Sequence, residues 1–421
     1  MRTMYLKTIL TVFLLIIFRS CIAQVLTIEA CYEKAKQNYP LIKQYDLIDK
    51  SAEYTISNAN KSYLPQFNAT GIAGYIIKGL PSMAPSTAES TNDKFQFIGI
   101  GQLNQTIWDG GATHAQKQEI KANAAVEKAE VDISLHGLNE RINQLFFGIL
   151  LMDEQQQLLN ILMDNLNRNL KAVKLSNENG IAYSSDVDEV SVELVKVEQR
   201  VIETRYVRDG YINMLALMIG EALNTDLKLE KPVVVSEIKS LSINRPELSF
   251  YNFQRSQAEA QQALTKVNTM PKIGLLGAGI LIQPGVAFGT ESINSLAIAG
   301  LSVSWNTNGI YRSSNNREIH KISVDRINNQ QETFLFNTRL QMSQQAIEIE
   351  KQRLINEKDK EIVALKASIK KAYEQKYQNG MCTMNDLLLA TNGESEARAN
   401  QALHEVQLLL SAYAYKTTSG N

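Results

Sequence analysis

The sequence is poor in features that mark several common classes of protein. Its 421 residues include only 3 cysteines and 4 histidines. The 43 basic and 44 acidic side chains leave a net charge of −1. Nucleic-acid binding calls for a strongly basic face, and the balanced charge gives no sign of one. The composition is also not that of a disordered chain, because 44% of the residues are apolar.

Long hydrophobic runs are scarce as well. One apolar segment, 9–18, follows Arg2 and Lys7 and precedes a small-residue site at Ala23. This arrangement is typical of a signal peptide, and ten apolar residues are too few to span a bilayer. Residues 1–23 are therefore predicted to be a signal peptide, with a lipid anchor on Cys21 as the alternative. The remaining chain either stays outside a membrane or enters it as strands, whose alternation escapes hydropathy analysis.

The sequence shows no catalytic or metal-binding pattern. The histidines are spread over long predicted helices without the spacing of metal ligands: His114, His136, His320 and His404. We therefore predict no enzyme, no metal site and no cofactor. Two cysteines, Cys31 and Cys382, follow the predicted signal peptide, and the predicted helices separate them too widely for a disulfide.

The chain does contain an internal duplication. A shift of 206 residues superimposes Pro40 on Pro246, Pro65 on Pro271 and Gly71 on Gly277. A shift of 200 superimposes Gly180 on Gly380, Asp186 on Asp386 and Gly220 on Gly420. The six extra residues of the first copy fit the polar loop 78–93. The prediction is repeat 1 at 24–220, a linker at 221–245 and repeat 2 at 246–421.

Each repeat is predicted to contain a helix, two strands, a very long helix, a tight turn and a returning helix. Thr27 can cap the first helix, which restarts at Pro40. Pro65 and Pro271 mark the junctions from helix to strand, and Gly110 and Gly111 end the second strand. The predicted strands are 66–77, 94–107, 272–282 and 295–305. The predicted long helices are 112–178 and 310–377, and the returning helices are 185–219 and 384–417.

The long helix of repeat 1 has the periodicity of a coiled coil. From Val131 to Val173 apolar residues recur in steps of four and three, and Gln156 is the polar exception. Such a 3.5-residue period specifies a left-handed supercoil with a partner helix. The returning helix supplies a matching row: Val187, Val190, Leu194, Val197 and Val201. The long helix of repeat 2 is patchier, with many polar residues interleaved.

The four strands are too few to form a closed sheet. Closure removes strand edges, and single-chain bacterial barrels begin at eight strands. Two copies of the chain would give a filled barrel of eight strands, and three copies would give twelve. Aromatic residues near the strand ends fit either an interfacial girdle or ordinary packing: Tyr63, Tyr75, Trp108 and Trp305.

Five segments, in this order and partly duplicated, resemble the TolC family of outer-membrane efflux proteins. They are LTIEA (26–30), YLPQF (63–67), QTIWDGG (105–111), ENGIAYSSDVDE (178–189) and QNGMCTMNDLL (378–388). The resemblance implies a mixed α and β membrane protein, a homotrimer with a twelve-stranded barrel in outer-membrane lipid and a periplasmic helical tunnel. It also implies a passive duct for efflux or type I secretion, supplied by an inner-membrane pump and a periplasmic adaptor.

The resemblance also assigns roles to the two turns between long and returning helices. The residues Asn179, Gly180, Ile181, Asn379, Gly380 and Met381 would form the tip where an adaptor docks. The acids Asp186, Asp188, Glu189 and Asp386 would line the tunnel entrance and favour cations. The residues themselves allow a simpler interpretation, in which the glycines are helix C-caps and the acids stabilise first turns. TMND (383–386) and SDVD (185–188) both resemble capping sequences.

Two other classes of protein compete with a channel. A periplasmic adaptor also has a helical hairpin, but it would show one hairpin between lipoyl-like halves. An exported structural protein with coiled-coil arms would also account for the long helices.

Overall fold

Long helices and one small sheet make up the computed structural model, which describes residues 26–75, 95–233, 242–283 and 294–421. The predicted signal peptide, the loop 78–93 and part of the linker 221–245 lie outside the described residues. The chain divides into two compact units. The helical unit comprises 26–42, 131–246 and 334–421, and the sheet unit comprises 43–130 and 247–333, each within the described ranges.

Two strands followed by long helices occur twice along the described chain. The helices are α1 Ile28–Asn38, α2 Gln44–Asn60, α3 Ala112–His136, α4 Leu138–Glu178, α5 Ser184–Ile219, α6 Pro246–Val267, α7 Asn308–Gln378 and α8 Met384–Ser419. The strands are β1 Gln66–Tyr75, β2 Phe95–Trp108, β3 Lys272–Gln283 and β4 Asn294–Ser304. Within the described ranges, no helix combines the length and the hydropathy needed to span a bilayer.

Two details refine the helix prediction. α3 and α4 meet at Gly137, which keeps right-handed helical angles, φ −60° and ψ −18°, and whose N–H donates to the carbonyl of Ile133 at 3.1 Å. The helix predicted over 112–178 therefore continues through Gly137 with a local irregularity at a weak helix former. Pro40 begins a 3₁₀ turn, Pro40–Lys43, rather than an α-helix. Tyr39, which precedes the proline, is extended with ψ 129°, because the proline ring disfavours helical geometry at that position.

An apolar seam holds the first hairpin, α4 and α5, together in the helical unit. The buried residues are Leu162, Leu166 and Val173 of α4 and Val190 and Val197 of α5. The second hairpin adds Met384, Leu387 and Leu388 from α8 to the same cluster. The coiled-coil row predicted for repeat 1 is therefore buried against two helices.

The long helix of repeat 2, α7, packs through a more polar surface. Its buried residues in the helical unit include Thr338, Gln352 and Asp359 beside Met342 and Ile349. Asp359 lies 2.6 Å from Nδ1 of His404 on α8. Polar residues at seam positions lower the stability of a coiled coil and set its register. The second hairpin therefore lacks the continuous apolar seam of the first.

Both repeats end on a glycine with left-handed backbone geometry. Gly220 has φ +71° and Gly420 has φ +83°. A Cβ at Gly220 would lie 2.3 Å from the side chain of Asn38, and one at Gly420 would lie 2.6 Å from the carbonyl carbon of Asn244. Both positions thus require glycine for backbone conformation and for space.

The sheet unit contains a four-stranded antiparallel sheet in the order β1-β2-β3-β4. The register places Gly71 opposite Gly99 and Gly101 opposite Gly279, and a bulge lies between Thr106 and Trp108. Within the described chain, β1 and β4 each pair on one side only. A strand edge of this kind can pair with a strand of another chain.

The two cysteines are both free thiols, and they differ in exposure. Cys31 is fully buried in α1, and this burial raises the pKa of its thiol to about 12. Cys382 is partly exposed, and burial also raises the pKa of its thiol.

We expect a water-soluble thiol reagent to modify Cys382 in the folded protein, faster as pH rises, and Cys31 only after unfolding. Peptide mass spectrometry measures both, with Cys382→Ser as the control. Modification of Cys31 in the folded protein at the rate of Cys382 would contradict this packing.

Candidate functional site

The two hairpin turns have the same backbone geometry. Gly180 has φ +71° and Gly380 has φ +69°. The N–H of Ile181 donates to the carbonyl of Ser176 at 2.8 Å, and the N–H of Met381 donates to that of Lys376 at 2.8 Å. These bonds, which span five residues, define a Schellman motif, in which the left-handed residue is usually glycine. The same local chemistry therefore ends both long helices.

Each turn presents one large apolar side chain to solvent. Ile181 is 80% exposed and Met381 is 74% exposed. The preceding asparagines fold back, because the side-chain amides of Asn179 and Asn379 each donate to a carbonyl four residues earlier at 2.8 Å. The turns are thus rigid in their backbones and open on their outer surfaces.

Asp386 is an N-terminal capping residue of α8. The N–H of Asp386 donates to Oγ1 of Thr383 at 3.2 Å, and the N–H of Thr383 donates to Oδ2 of Asp386 at 3.0 Å. The Thr383 hydroxyl also donates to Oδ2 at 2.7 Å. These hydrogen bonds, the side-chain one first, lower the pKa of Asp386. The predicted T-x-x-D capping box is present.

The first hairpin has a different cap from the one its sequence indicated. Tyr183 occupies the N-cap position of α5, and its N–H donates to Oδ2 of Asp186 at 3.0 Å. Ser185 and Asp188 lie inside the helix, so SDVD is not the capping sequence. Because α5 begins at Ser184, the N-cap position falls on Tyr183 and not on Ser185. Asp188 and Glu189 are exposed on the first turns of α5.

The helical unit brings the two turns side by side. Tyr377, just before the second turn, packs against the shared apolar cluster. Burial raises the pKa of its hydroxyl, and the nearby charge of Asp186 from the first hairpin raises it further. Tyr377 occupies the repeat position of Asn177, whose side-chain amide donates to the carbonyl of Ala182 at 2.8 Å. Sequence analysis overlooked both residues, and the difference between the repeats at this position was the available signal.

A groove of about 710 Å³ lies between the hairpins, lined by residues of α4, α5 and α8. Its lining includes the apolar Leu159 and Leu162 and the charged Glu193, Lys196 and Arg200. Asn392 of α8 donates to Glu193 at 3.2 Å across this groove. The contact joins residues 199 positions apart, so no local pattern could predict it.

The predicted junction residues of repeat 1 lie together in the sheet unit. Gly110 and Gly111 have φ +72° and +91°. A Cβ at Gly110 would lie 2.6 Å from Cβ of Met270 and 3.2 Å from the carbonyl oxygen of Pro271. Gly110 therefore allows the close approach of the two strand–helix junctions. Pro65 lies between the 3₁₀ turn Lys61–Tyr63 and β1.

Asp109, which the prediction did not include, organises this junction. Its carboxylate accepts hydrogen bonds from the N–H groups of Gly111 at 2.9 Å and Thr113 at 2.6 Å. Burial alone would raise the pKa of Asp109, but hydrogen bonds from Thr113, Tyr63 and Gly111 lower it to about 2. The carboxylate thus fixes the turn from β2 into α3.

The corresponding junction of repeat 2 has the neutral side chain of Asn306 as acceptor where repeat 1 has the carboxylate of Asp109. Oδ1 of Asn306 accepts from the N–H of Asn308 at 3.0 Å, as Oδ1 of Asp109 does from Gly111. Nε1 of Trp305 donates to the carbonyl of Thr269 at 3.1 Å. No described residue other than glycine has a positive φ, so this turn closes without left-handed geometry at Thr307. The turn of repeat 2 therefore keeps the side-chain hydrogen bond found in repeat 1 but lacks the left-handed glycine.

Known proteins share this arrangement. Residues 31–221 match the family model described as Outer membrane efflux protein, which confirms the resemblance over that range. The outer-membrane channel OprN superposes with a TM-score of 0.66 at 13% identity, over 93% of this chain and 89% of that one. VceC of Vibrio cholerae gives 0.62 at 15% identity, over 93% and 94%. The open MtrE channel of Neisseria gonorrhoeae gives 0.63 at 14%, over 93% and 88%. A comparison with curated proteins found no match.

Valine at Gly380 tests the backbone requirement of the turn. A Cβ there meets no atom within 4 Å, so the cost comes from the left-handed conformation alone. We expect Gly380→Val to destabilise the protein by about 1–2 kcal/mol, the cost of that geometry for a residue with a Cβ. Thermal unfolding of both variants measures it. The matched control is Gly210→Val in α5, which has open space and no positive φ. Equal stability of the two variants would contradict the assigned strain.

Asp109→Asn tests the charged cap at the first junction. The folded-state pKa of about 2 lies below the ordinary value near 3.9, so the charged group stabilises the fold at pH above about 4. We expect wild type to be the more stable at pH 7, and the difference to shrink as pH falls from about 4 to about 2. Melting temperatures across this range measure it. A difference that stays constant down to pH 2 would show that the charge of Asp109 does not contribute.

Proposed function

We propose that this chain, which matches the outer membrane efflux protein family over residues 31–221 and shares the fold of its channels, is an outer-membrane channel. It serves a tripartite efflux or type I secretion system as a passive duct to the cell exterior. The observation that carries the proposal is a duplicated unit in which two strands precede a very long helical hairpin. The protein lies in the outer membrane, with most of its mass in the periplasm.

Three copies complete the channel. One chain supplies four strands with two free edges, and three chains supply the twelve strands of a closed barrel. The backbone groups of the edges must be paired inside a bilayer, where no water satisfies them. The helical hairpins of the three copies form the tunnel. This arrangement supports a homotrimer in outer-membrane lipid as the functional unit.

The hairpin turns are the surface for the periplasmic adaptor, which in turn connects the channel to an inner-membrane pump. Ile181 and Met381 are exposed apolar side chains on rigid turns, which suits them as anchors for a partner. Farther along the hairpins from the turns, the groove is lined by apolar residues and by the charged Glu193, Lys196 and Arg200. An amphipathic helix of the adaptor would fit such a groove.

The acidic residues near the turns form the entrance. Threefold symmetry brings three copies of each acid around the opening: Asp186, Asp188, Glu189 and Asp386. Carboxylate rings favour cations in channels. Asp386 combines the entrance role with its capping role, because its carboxylate accepts a hydrogen bond from Thr383 and the residue remains partly exposed.

The junction residues Pro65, Pro271, Gly110 and Gly111 position the strands on the helices in each copy. Neither competing class of protein accounts for them. A periplasmic adaptor has no reason to join two strands to each of two hairpins. A structural coiled-coil protein has no use for a sheet whose faces are largely apolar and exposed.

Asp386→Asn separates the entrance role from the capping role. Asparagine keeps the size and most of the capping ability, so a pure cap predicts little change in a channel measurement. The entrance role predicts that a polyvalent cation blocks current at least about fivefold less well, because one charge pair at 4 Å in water is worth about 1 kcal/mol. Single-channel recordings in planar bilayers at low salt, where screening is least, give both block and cation preference.

The control for this experiment is Glu361→Gln, which removes an exposed acid of α7 that pairs with Lys358. Unchanged block in Asp386→Asn would leave the aspartate only a cap. A purified protein that forms no conducting pore would contradict the proposed function itself.

A further inference from the structure

The two faces of the four-stranded sheet differ in chemistry. Residues opposite one another in an antiparallel register point to the same face, so the pairing assigns each side chain to a face. One face, here the aromatic face, is largely apolar and includes Phe67, Phe97, Trp108, Leu275, Leu281 and Leu301, with Gln105 and Ser295 at polar positions. The other face, here the mixed face, carries most of its polar residues in one half.

Aromatic rings cover three glycines on the aromatic face. The ring of Phe97 lies over Gly71 and Gly99, where a Cβ would be 3.6 and 3.4 Å from ring carbons. The ring of Phe67 covers Gly101 in the same way, at 3.7 Å. Aromatic rings laid on glycines fill the gaps that missing side chains leave in a sheet. This face has the composition and smoothness that lipid contact requires.

The mixed face is polar where the strands join the helices of the sheet unit. Its residues there include Gln66, Asn68, Gln102, Asn104, Thr106 and Ser302. Amide side chains without partners are costly in hydrocarbon. In a closed barrel, therefore, the mixed face must line the interior.

The loop-side half of the mixed face is mostly aliphatic. Two adjacent rows across the sheet contain Ile72, Ile98 and Ile282 in one and Ile100, Ile280 and Leu296 in the other, and the fourth position of each row is Asn294 and Thr70, respectively. Neither polar solvent nor lipid contact explains six large aliphatic residues on an inward face. Ile72 and Leu296 are 54% and 58% exposed in the single chain.

We propose that these six residues, the aliphatic collar, form a selective section of the channel that binds the aliphatic part of exported solutes. The inference rests on the proposed function, since only a closed barrel turns the mixed face into a lumen. The proposal assigns a chemical class to the exported solutes, namely molecules with an alkyl chain. A polar lumen would not bind such molecules preferentially.

The dimensions of a twelve-stranded barrel allow this contact. With strands about 4.8 Å apart and tilted by about 40°, the backbone diameter is about 24 Å. Large aliphatic side chains on all sides reduce the opening to roughly 12 Å, so a drug-sized molecule passes in contact with the wall. Each methylene raises affinity about fourfold when fully buried, and about twofold when half of it is buried against the collar.

The test uses block of single-channel current by alkyltrimethylammonium ions, from butyl to octyl, in planar bilayers. The head group is constant in this series, so any trend comes from the chain. We expect the blocking constant of wild type to fall about twofold for each methylene. In the double variant Ile100→Thr/Ile280→Thr the dependence on chain length should fall to half or less. Threonine keeps the β-branch that suits a strand.

Two further variants make the test decisive. Leu281→Thr changes the neighbouring residue on the aromatic face and should leave the dependence unchanged. Thr70→Ile completes the row of Ile100, Ile280 and Leu296 on β1 and should strengthen the dependence. If the double variant does not assemble, Thr70→Ile decides the matter alone.

The outcomes distinguish the collar from the channel. Block that does not depend on chain length in wild type would overturn the collar and leave the proposed channel intact. If Leu281→Thr reduces the dependence on chain length as much as the double variant does, the collar has been assigned to the wrong face of the sheet. A protein without any conductance would contradict the proposed function first.

Discussion

The pairing of backbone N–H and C=O groups at the free edges of the sheet is the constraint on which the rest depends. β1 and β4 each pair on one side only in the described chain. Inside a membrane such edges have no water to bind, and in the proposed trimer copies of the same chain supply the missing hydrogen bonds. The proposed trimer follows from this requirement. The apolar outer face and the mixed inner face then acquire their separate roles.

The helical unit also exposes an apolar stripe. The apolar seam of the first hairpin is covered, because it is buried together with residues of α8. The long helix α7 instead leaves Phe336, Leu340 and Ile347 exposed at 67%, 62% and 70%. Their spacing of four and seven residues places them on one stripe, as in a coiled coil that lacks its partner. Neighbouring copies in a trimer would cover such a stripe, which agrees with the requirement of the sheet edges.

Much of this fold could be predicted from local signals. The strand predicted at 272–282 is observed at Lys272–Gln283, and Thr27 accepts the N–H of Ala30 at 3.2 Å as a helix cap. Proline, glycine and periodicity act through neighbouring residues, so they can be read along the chain. The proximity of Tyr377 to Asp186 could not be predicted, because it arises from packing between hairpins 200 residues apart. Periodicity also predicted the long helix of repeat 1, which keeps helical geometry through Gly137. The collar also required the register, because it needs strands from both repeats.

The number of chains in the native particle tests the central claim most directly. Native mass spectrometry of the protein, extracted from membranes in mild detergent, measures that number without any assumption about transport. The account predicts three copies, because three chains supply the strands and the stripe partners that one chain lacks. A folded monomer or dimer as the main species would contradict it, because neither has the strands for a twelve-stranded barrel.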